Sequence, residues 1–578
     1  MNKQPTNNSY NGRRWLLIGC FVAATALMLW RAVDLHVIKK DFLRDHGDSR
    51  SIRDVVIPAH RGMIVDRNLE PLAISTPVAT VGAVPREVLK DQAGIPKLAE
   101  ALGMQADDLS QLLRDRIARD YIYLKRQIPP ERGEYIQSLS IPGVHLQQEF
   151  KRYYPAGEVT SHLIGFTNVD DEGQEGLELA YDSWLQGSPG LKRVLKDSLG
   201  RTVQNIESIQ ASKPGKRLIL SIDRRIQYLA FRELTAAVSR HNAKDGTLVM
   251  LDAKTGEVMA LVGRPSYNPN DRSELKGELY RNRAVTDVFE PGSTVKPFTI
   301  AAALESGRYK ANTHIDTNPG YIKVNDHRIR EDNNHNYGNI DLAHVIIKSS
   351  NVGASKVALS LGPERMWEMF SRFGLNTITG SGYPGESSGL CNYYNAWSEL
   401  DLATIAFGHG IAVTSLQLAR AYAALADGGV LRPVSFQKLN TPAPGKRILS
   451  EKITKKIVAM LEAATNEGGT GTRARVAGYR VAGKTGTAHK STAGGYSEDR
   501  YQSLFAGFAP ASDPRLVLVI MIDEPQGIEY YGGEIAAPIF SRVMKGALRL
   551  LNIPPDDIGS MHSQVIMADN STTARGVR

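Results

Sequence analysis

Ser293 and Lys296 stand three residues apart in Phe289-Glu-Pro-Gly-Ser-Thr-Val-Lys-Pro-Phe298, just ahead of the helix-forming run 299–304. That spacing puts hydroxyl and amine on one face of a helix. Pro291-Gly292 stops the preceding chain, and Ser293 sits where an N-cap belongs. Pro297 is tolerated because the first helical N–H groups have no intrahelical partner. The positive end of the helix favours an alkoxide developing on Ser293, and a neutral lysine can take the serine proton. This is the chemistry of acyl transfer through a serine ester. Alone, S-x-x-K also describes a capped helix with a solvated lysine, which is the commoner case.

Two further groups supply what such a serine needs. Ser349 and Asn351, in Lys348-Ser-Ser-Asn-Val-Gly353, place a hydroxyl and an amide two residues apart, so that one can relay a proton while the other holds a substrate amide. Taken alone, ordinary turn polarity explains them better. Val481-Ala-Gly-Lys-Thr-Gly-Thr-Ala488 follows a strand-like approach at 479–481, and a strand here points Lys484 into a cleft. Lys484 suits a carboxylate and, as a neighbouring cation, lowers the Lys296 pKa. Thr485 and Thr487 offer hydroxyls, and Gly486 lets a ligand backbone approach closely.

Two look-alikes fall away. Gly478-Tyr-Arg-Val-Ala-Gly-Lys-Thr485 has the spacing of a phosphate loop, but no helix follows to aim N–H groups at phosphate. Lys254-Thr-Gly256 repeats the later tripeptide, yet it lies between strand-like runs 247–251 and 258–262 and reads as a hairpin turn.

The elements that must position these residues follow from the rest of the pattern. At roughly 100–200 residues per domain, 578 residues make three or four folding units. Hydrophobic content of 42% and charged content of 23% exclude a disordered, collagen-like or multi-span membrane chain. The net charge of +9 is spread without basic blocks, which favours an anionic membrane surface or cell-wall glycan over nucleic acid. Two cysteines, Cys20 and Cys391, exclude a disulfide framework and a cysteine zinc site. We expect no metal and no cofactor.

A polar tail, 1–14, ends in Arg13-Arg14 and precedes an apolar run that reaches bilayer length over 15–38, with Trp15 and Trp30 as interfacial rings. The basic tail favours a retained anchor with its N-terminus inside; the Ala23-Ala24-Thr25-Ala26 cluster sits mid-run, not after it as a cleavage site would. Residues 50–215 alternate short strand-like stretches with Gly and Pro and hold one clearer helical stretch near 95–119. Turn chemistry at 211–215 marks a boundary. From 216 to 555 we expect a strand over 217–222, a helix over 224–241, helical stretches around 340–360 and 413–426, and strands over 503–510 and 516–523. An α+β chain with an antiparallel sheet and flanking helices fits. The tail, 556–578, is polar and aperiodic and is expected to be disordered.

The order S-x-x-K, S-x-N, K-T-G is that of penicillin-binding proteins and class A β-lactamases. The chain resembles a class B penicillin-binding protein, a membrane-anchored peptidoglycan D,D-transpeptidase, over residues 15 to about 550. Arg61-Gly-Met-Ile-Val-Asp-Arg67, Arg152-Tyr-Tyr-Pro-Ala-Gly157 and Glu172-Gly-Gln-Glu-Gly-Leu-Glu178 are similar to the family's non-catalytic, dimerisation-type pedestal, and the pattern is closest to the septal, cell-division type. Thr379-Gly-Ser-Gly-Tyr-Pro-Gly-Glu386 and Ala506-Gly-Phe-Ala-Pro510 resemble its serine β-lactamase-like catalytic domain.

The resemblance implies roles. Ser293 attacks the carbonyl between two D-alanines of a stem peptide, Lys296 takes its proton, and Ser349 passes a proton to the leaving amine. Asn351 holds the substrate amide, while Lys484, Thr485 and Thr487 bind the terminal carboxylate. The backbone N–H groups of Ser293 and Thr487 form the oxyanion hole. It also implies acylation by β-lactams, a catalytic domain on the periplasmic side of the inner membrane, and a glycosyltransferase and divisome membrane proteins as partners, without nucleic acid. A D,D-carboxypeptidase or β-lactamase using water, or a non-catalytic β-lactam sensor or scaffold, are the alternatives. Phe407, His409, His489, Tyr530 and Tyr531 stand near the motifs but are more often packing residues.

Overall fold

The computed structural model describes residues 9–42, 52–196, 202–273, 276–492 and 495–559. Most of the N-terminal tail and of the C-terminal tail expected to be disordered lie outside the described residues. The chain forms two compact units, each drawn from several stretches of sequence. One takes the described residues within 1–60, 77–151 and 187–214; the other takes those within 61–76, 152–186 and 215–578.

The first unit opens with helix α1, Ser9–Val33, which a π-helical turn, Asp34–Ile38, carries onward. The continuous helix Asn11–Ile38 is long and apolar enough to cross a membrane. Asp34 pairs with Arg31 at 2.8 Å and Lys39 at 3.2 Å. A three-stranded antiparallel sheet joins Ile52–Ile57, Gly190–Lys196 and Thr202–Gln210. The helical stretch expected near 95–119 is two helices, Gly94–Leu102 and Ala106–Asp115, because Gly103 enters the left-handed region (φ 69°) and ends the first. Leu98, Leu102, Leu109 and Leu113 pack with Val81 and Ile122.

The second unit is built on a five-stranded antiparallel sheet of β1 (Asp245–Asp252), β2 (Val258–Arg264), β3 (Ala482–Thr492), β4 (Gly495–Ala509) and β5 (Leu516–Asp523). Their spatial order is β2-β1-β5-β4-β3, which leaves β3 at an edge. Both faces are covered, so β5 reads as an unbroken apolar run. Leu516, Leu518, Ile520 and Ile522 pack with α2 (Arg224–Arg240) and a C-terminal helix, Ala536–Leu550. Val517, Val519 and Met521 face the opposite core, which includes Phe298 and Tyr422. The hairpin expected at Lys254-Thr-Gly256 joins β1 to β2: Asp252 Oδ1 accepts from the Lys254 and Thr255 N–H groups, and Gly256 takes φ 77°.

The strand expected over 217–222 is only Leu218–Ile219, which pairs in parallel with Ile64–Val65. Beyond it, Ser221 donates to Val258 O at 2.8 Å, so the chain leaves the ladder to pack on β2. Arg61, Arg152 and Glu178 form a buried ionic knot in this unit: Glu178 accepts from Arg61 at 2.7 Å and Arg152 at 2.6 Å, and all three are at most 5% exposed.

Candidate active site

Ser293 does not cap a helix. It lies inside a 3₁₀ turn, Gly292–Val295, from which α3 (Lys296–Glu305) continues, with Pro297 in its first turn as expected. The tighter turn needs Gly292 at φ 52°. It is braced from below, where the Tyr422 hydroxyl donates to Thr294 O at 2.8 Å and the Thr299 hydroxyl to Ala406 O at 2.8 Å.

The helical stretch expected around 340–360 is broken at the second motif into Leu342–Ile347 and α4 (Asn351–Leu361). Ser349, between them, is held at φ 62°, a conformation that costs a non-glycine residue about 1–2 kcal/mol. Ser350 caps α4 by accepting from the Gly353 N–H at 2.8 Å. Glu331 pins the turn: one oxygen accepts from the Ser350 hydroxyl at 2.5 Å, the other from the Asn351 N–H at 2.6 Å.

Lys296 joins these two motifs. Its Nζ lies 2.9 Å from Ser293 Oγ, 2.6 Å from Ser349 O, 2.8 Å from Asn351 Oδ1 and 3.2 Å from Ser349 Oγ. The side chain is fully buried, and burial pushes its pKa down to about 7 against the opposing pull of Glu331 and Asp332. A neutral amine has two N–H groups and one lone pair. Donating to Ser349 O and Asn351 Oδ1 aims the lone pair at the Ser293 hydroxyl. The same cluster leaves Ser349 Oγ beside the nitrogen, where it can pass a proton onward.

The third motif lies at the start of strand β3, not after a strand that ends at 481. Lys484 pairs with Ala506, Gly486 with Leu504 and Thr487 with Ser503 of β4. Lys484 is buried beneath the cleft instead of projecting into it, 3.4 Å from Thr470 Oγ1 and from Thr485 Oγ1. Burial, then repulsion from Lys296, pushes its pKa well below the ordinary lysine range. The depressed Lys296 pKa therefore has burial as its main cause, not the neighbouring cation.

Gly486 has a different reason from the one its sequence suggested. A Cβ there would meet Pro291 O at 2.9 Å, Thr294 Cγ2 at 2.9 Å and Leu504 Cβ at 3.2 Å. The glycine admits the nucleophile's turn against the strand, not a ligand. A Cβ on Gly292 would likewise lie 3.3 Å from Thr487 O. This packing brings the backbone of Thr487 beside the Ser293 turn.

Ser293, Ser349, Asn351, Thr485 and Thr487 thus line one cleft of about 830 Å³, with Lys296 and Lys484 beneath it. Phe407, His409, His489, Tyr530 and Tyr531 line it too. His409 packs between Phe407 and Tyr496 with tilted rings (5.1 and 5.3 Å between ring centroids), and burial pushes its pKa to about 4. Sequence reasoning missed Glu331 and Thr470. Glu331 lies in Arg330-Glu-Asp-Asn-Asn-His335, which reads as turn polarity, whereas Gly468-Gly-Thr-Gly-Thr472 carried a usable signal of close backbone approach.

The model of the penicillin binding protein transpeptidase domain matches residues 246–545, and that of the penicillin-binding protein dimerisation domain matches 56–220. Peptidoglycan D,D-transpeptidase FtsI of Escherichia coli K12 is 44% identical over 576 residues, covering 98% of this chain and 97% of the relative. A probable peptidoglycan D,D-transpeptidase, PbpC of Pseudomonas aeruginosa, is 41% identical over 548 residues, with 95% and 97% covered. Among solved structures, the transpeptidase domain of Burkholderia pseudomallei penicillin-binding protein 3 is 39% identical with a TM-score of 0.54, covering 58% of this chain and 97% of that one.

Proposed function

The chain belongs to the class B penicillin-binding proteins, and from that premise we propose that it cross-links peptidoglycan stem peptides as a D,D-transpeptidase through an ester on Ser293. The observation that carries the reading is the buried Lys296 amine, 2.9 Å from Ser293 Oγ and with a pKa pushed down to about 7. Near neutral pH a large share of that amine is unprotonated.

The Ser293 hydroxyl gives its proton to Lys296, and Oγ attacks the carbonyl between the two D-alanines. The backbone N–H groups of Ser293 and Thr487 receive the developing oxyanion, each donor typically worth about 10²–10³ in rate. Ser349 relays a proton to the departing amine, and D-alanine leaves with its carboxylate held by Thr485 and Thr487 above the buried Lys484. A carboxylate so placed draws a proton onto Lys484. Asn351 uses Oδ1 on Lys296 and one N–H on Arg330 O at 3.2 Å, which leaves a second N–H for the substrate amide. Because β3 is an edge strand, an extended donor peptide can lie along it.

We divide the chain into an anchor (15–38), a non-catalytic pedestal (50–215) and the transpeptidase domain (216–555). The apolar helix suits a single-pass inner-membrane protein. The basic tail supports a cytoplasmic N-terminus, with the catalytic cleft in the periplasm. We assign the enzyme to septal wall synthesis, working with a glycosyltransferase and divisome membrane proteins. A fluorescent penicillin is expected to label the wild type and to leave Ser293→Ala unlabelled. A penicilloyl adduct on another serine, seen by intact mass, would overturn the assignment.

A further inference from the structure

Transpeptidation needs a second substrate, and the catalytic geometry limits where it can enter. Aminolysis of the Ser293 ester is the chemical reverse of losing D-alanine, so the attacking amine must occupy the place the leaving amine vacated. That place is on the Lys484–Thr487 side of the cleft. The acceptor amine forms a bond to the acyl carbon, the ester C–Oγ bond breaks, and the amine's proton returns through Ser349 and Lys296 to Ser293 Oγ. Whatever follows the amine in the acceptor then runs out past β3.

Two charged side chains stand there. Gly532 N–H donates to Thr487 Oγ1 at 3.0 Å, and a Cβ on Gly533 would lie 2.7 Å from Thr470 O and 3.5 Å from Thr485 Cγ2. Segment 532–534 is therefore laid directly against the third motif, and Glu534 follows from it into the cleft wall. Arg473 comes from the 3₁₀ turn Thr472–Ala474, just beyond Thr470. Both residues also line a second cavity of about 150 Å³, whose walls include Arg240 and His241. One cation and one anion are thus shared by the reaction cleft and the second cavity.

Neither charge is firmly committed elsewhere. The Glu534 carboxylate is half-buried and has no hydrogen-bond or ion-pair partner among the described residues. Arg473 is 53% exposed and approaches Glu529 only to 3.6 Å. An exposed pair of that length contributes about 0–1 kcal/mol, so a better-placed carboxylate can replace it. Guanidinium is also the side chain best shaped for bidentate carboxylate recognition.

Resting on the transpeptidase reading above, we propose that Arg473 and Glu534 form the acceptor subsite, Arg473 holding a carboxylate and Glu534 an ammonium or amide N–H one segment beyond the attacking amine. The preferred acceptor is then an amine on an extended, charged peptide-like chain. A bare D-amino acid fills only the part of the site next to β3.

The test uses the full-length protein in detergent with a small acyl-D-alanyl thioester donor, and measures transfer to two acceptors. D-Alanine is the short acceptor. meso-2,6-Diaminopimelate is the extended one, with a second amino-acid centre three methylenes further on. Wild type is expected to favour the extended acceptor, and Arg473→Gln and Glu534→Gln should each cut that preference at least fivefold through the acceptor KM. Penicillin labelling of both variants shows that the fold and the serine are in place. An unchanged preference, or an equal loss with both acceptors, would overturn the subsite while leaving the transpeptidase reading intact. A wild type that forms the acyl-enzyme but passes it only to water would overturn the reading beneath it, and the subsite too.

Discussion

The Asn351 N–H reaches Glu331 Oε2 at 2.6 Å, while the Ser350 hydroxyl takes the other carboxylate oxygen. Two donors on two oxygens need a carboxylate, since an amide has only one acceptor atom. Glu331→Gln should leave one buried donor unsatisfied, a cost of about 1–3 kcal/mol, and loosen the Ser349–Asn351 turn. Penicillin acylation should slow at least tenfold. Glu331 also raises the Lys296 pKa, so its removal should carry the acid limb of the acylation rate to lower pH. Rate constants between pH 5 and 9 check both; a limb that moves upward contradicts the electrostatic part.

Lys296 must be neutral to take the serine proton, and its pKa is pushed down to about 7. Acylation should be flat above pH 8 and fall about tenfold per unit well below pH 7. Lys296→Arg should be nearly inactive, because guanidinium stays charged. Burial, opposed by Glu331 and Asp332, is what sets the Lys296 pKa. Lys484→Gln should therefore weaken carboxylate-bearing substrates without moving the acid limb. A limb shifted by a full unit would mean that the two amines share one titration.

Gly486→Ala would drive a Cβ to 2.9 Å from the Pro291 carbonyl, in a wall where backbone meets backbone. Relief requires moving β3 away from the Ser293 turn, an overpacking cost of typically about 1–3 kcal/mol. Because the Thr487 N–H moves with the strand, acylation should fall more than ten-fold while donor binding changes less. Stopped-flow acylation at several penicillin concentrations separates the two. Equal loss in both would place the damage elsewhere.

Glu178 forms ion pairs with two buried arginines, Arg61 and Arg152, each at 1% side-chain exposure. Glu178→Ala leaves both guanidinium groups without that partner and should cost about 3–5 kcal/mol. The readout is the denaturation midpoint of the purified protein. A loss below about 1 kcal/mol would show that Asp182, at 2.7 Å from Arg61, suffices.

Local chemistry was the most legible part of the sequence. The strand at 516–523 reads from its apolar run, and the Lys254-Thr-Gly256 turn from its place between two such runs. The six side chains of Ser293, Lys296, Ser349, Asn351, Lys484 and Thr487 read from motif order, and they converge. What did not read was set by contacts distant in sequence. The 3₁₀ turn at Ser293 and the close approach at Gly486 each depend on the other, across nearly 200 residues. Glu331 looks like loop polarity until α4 is packed against it. Lys484 reads as a cleft cation because sequence carries no measure of depth.

The strand order has a consequence for biosynthesis. β1 finds its neighbour in β5, where Asp252 pairs with Leu516 and Asp245 with Asp523, so the two halves of the sheet are joined by a strand made almost last. A ribosome must synthesise more than 260 residues after β1 before that edge is covered. Contacts so far apart in sequence form slowly, and an open apolar edge is a template for mispairing. The β1–β2 hairpin therefore waits, half-solvated, while the nucleophile's helix and the second motif emerge. A chain cut short at residue 515 has all three catalytic motifs and two hairpins, but no strand to join them into one sheet.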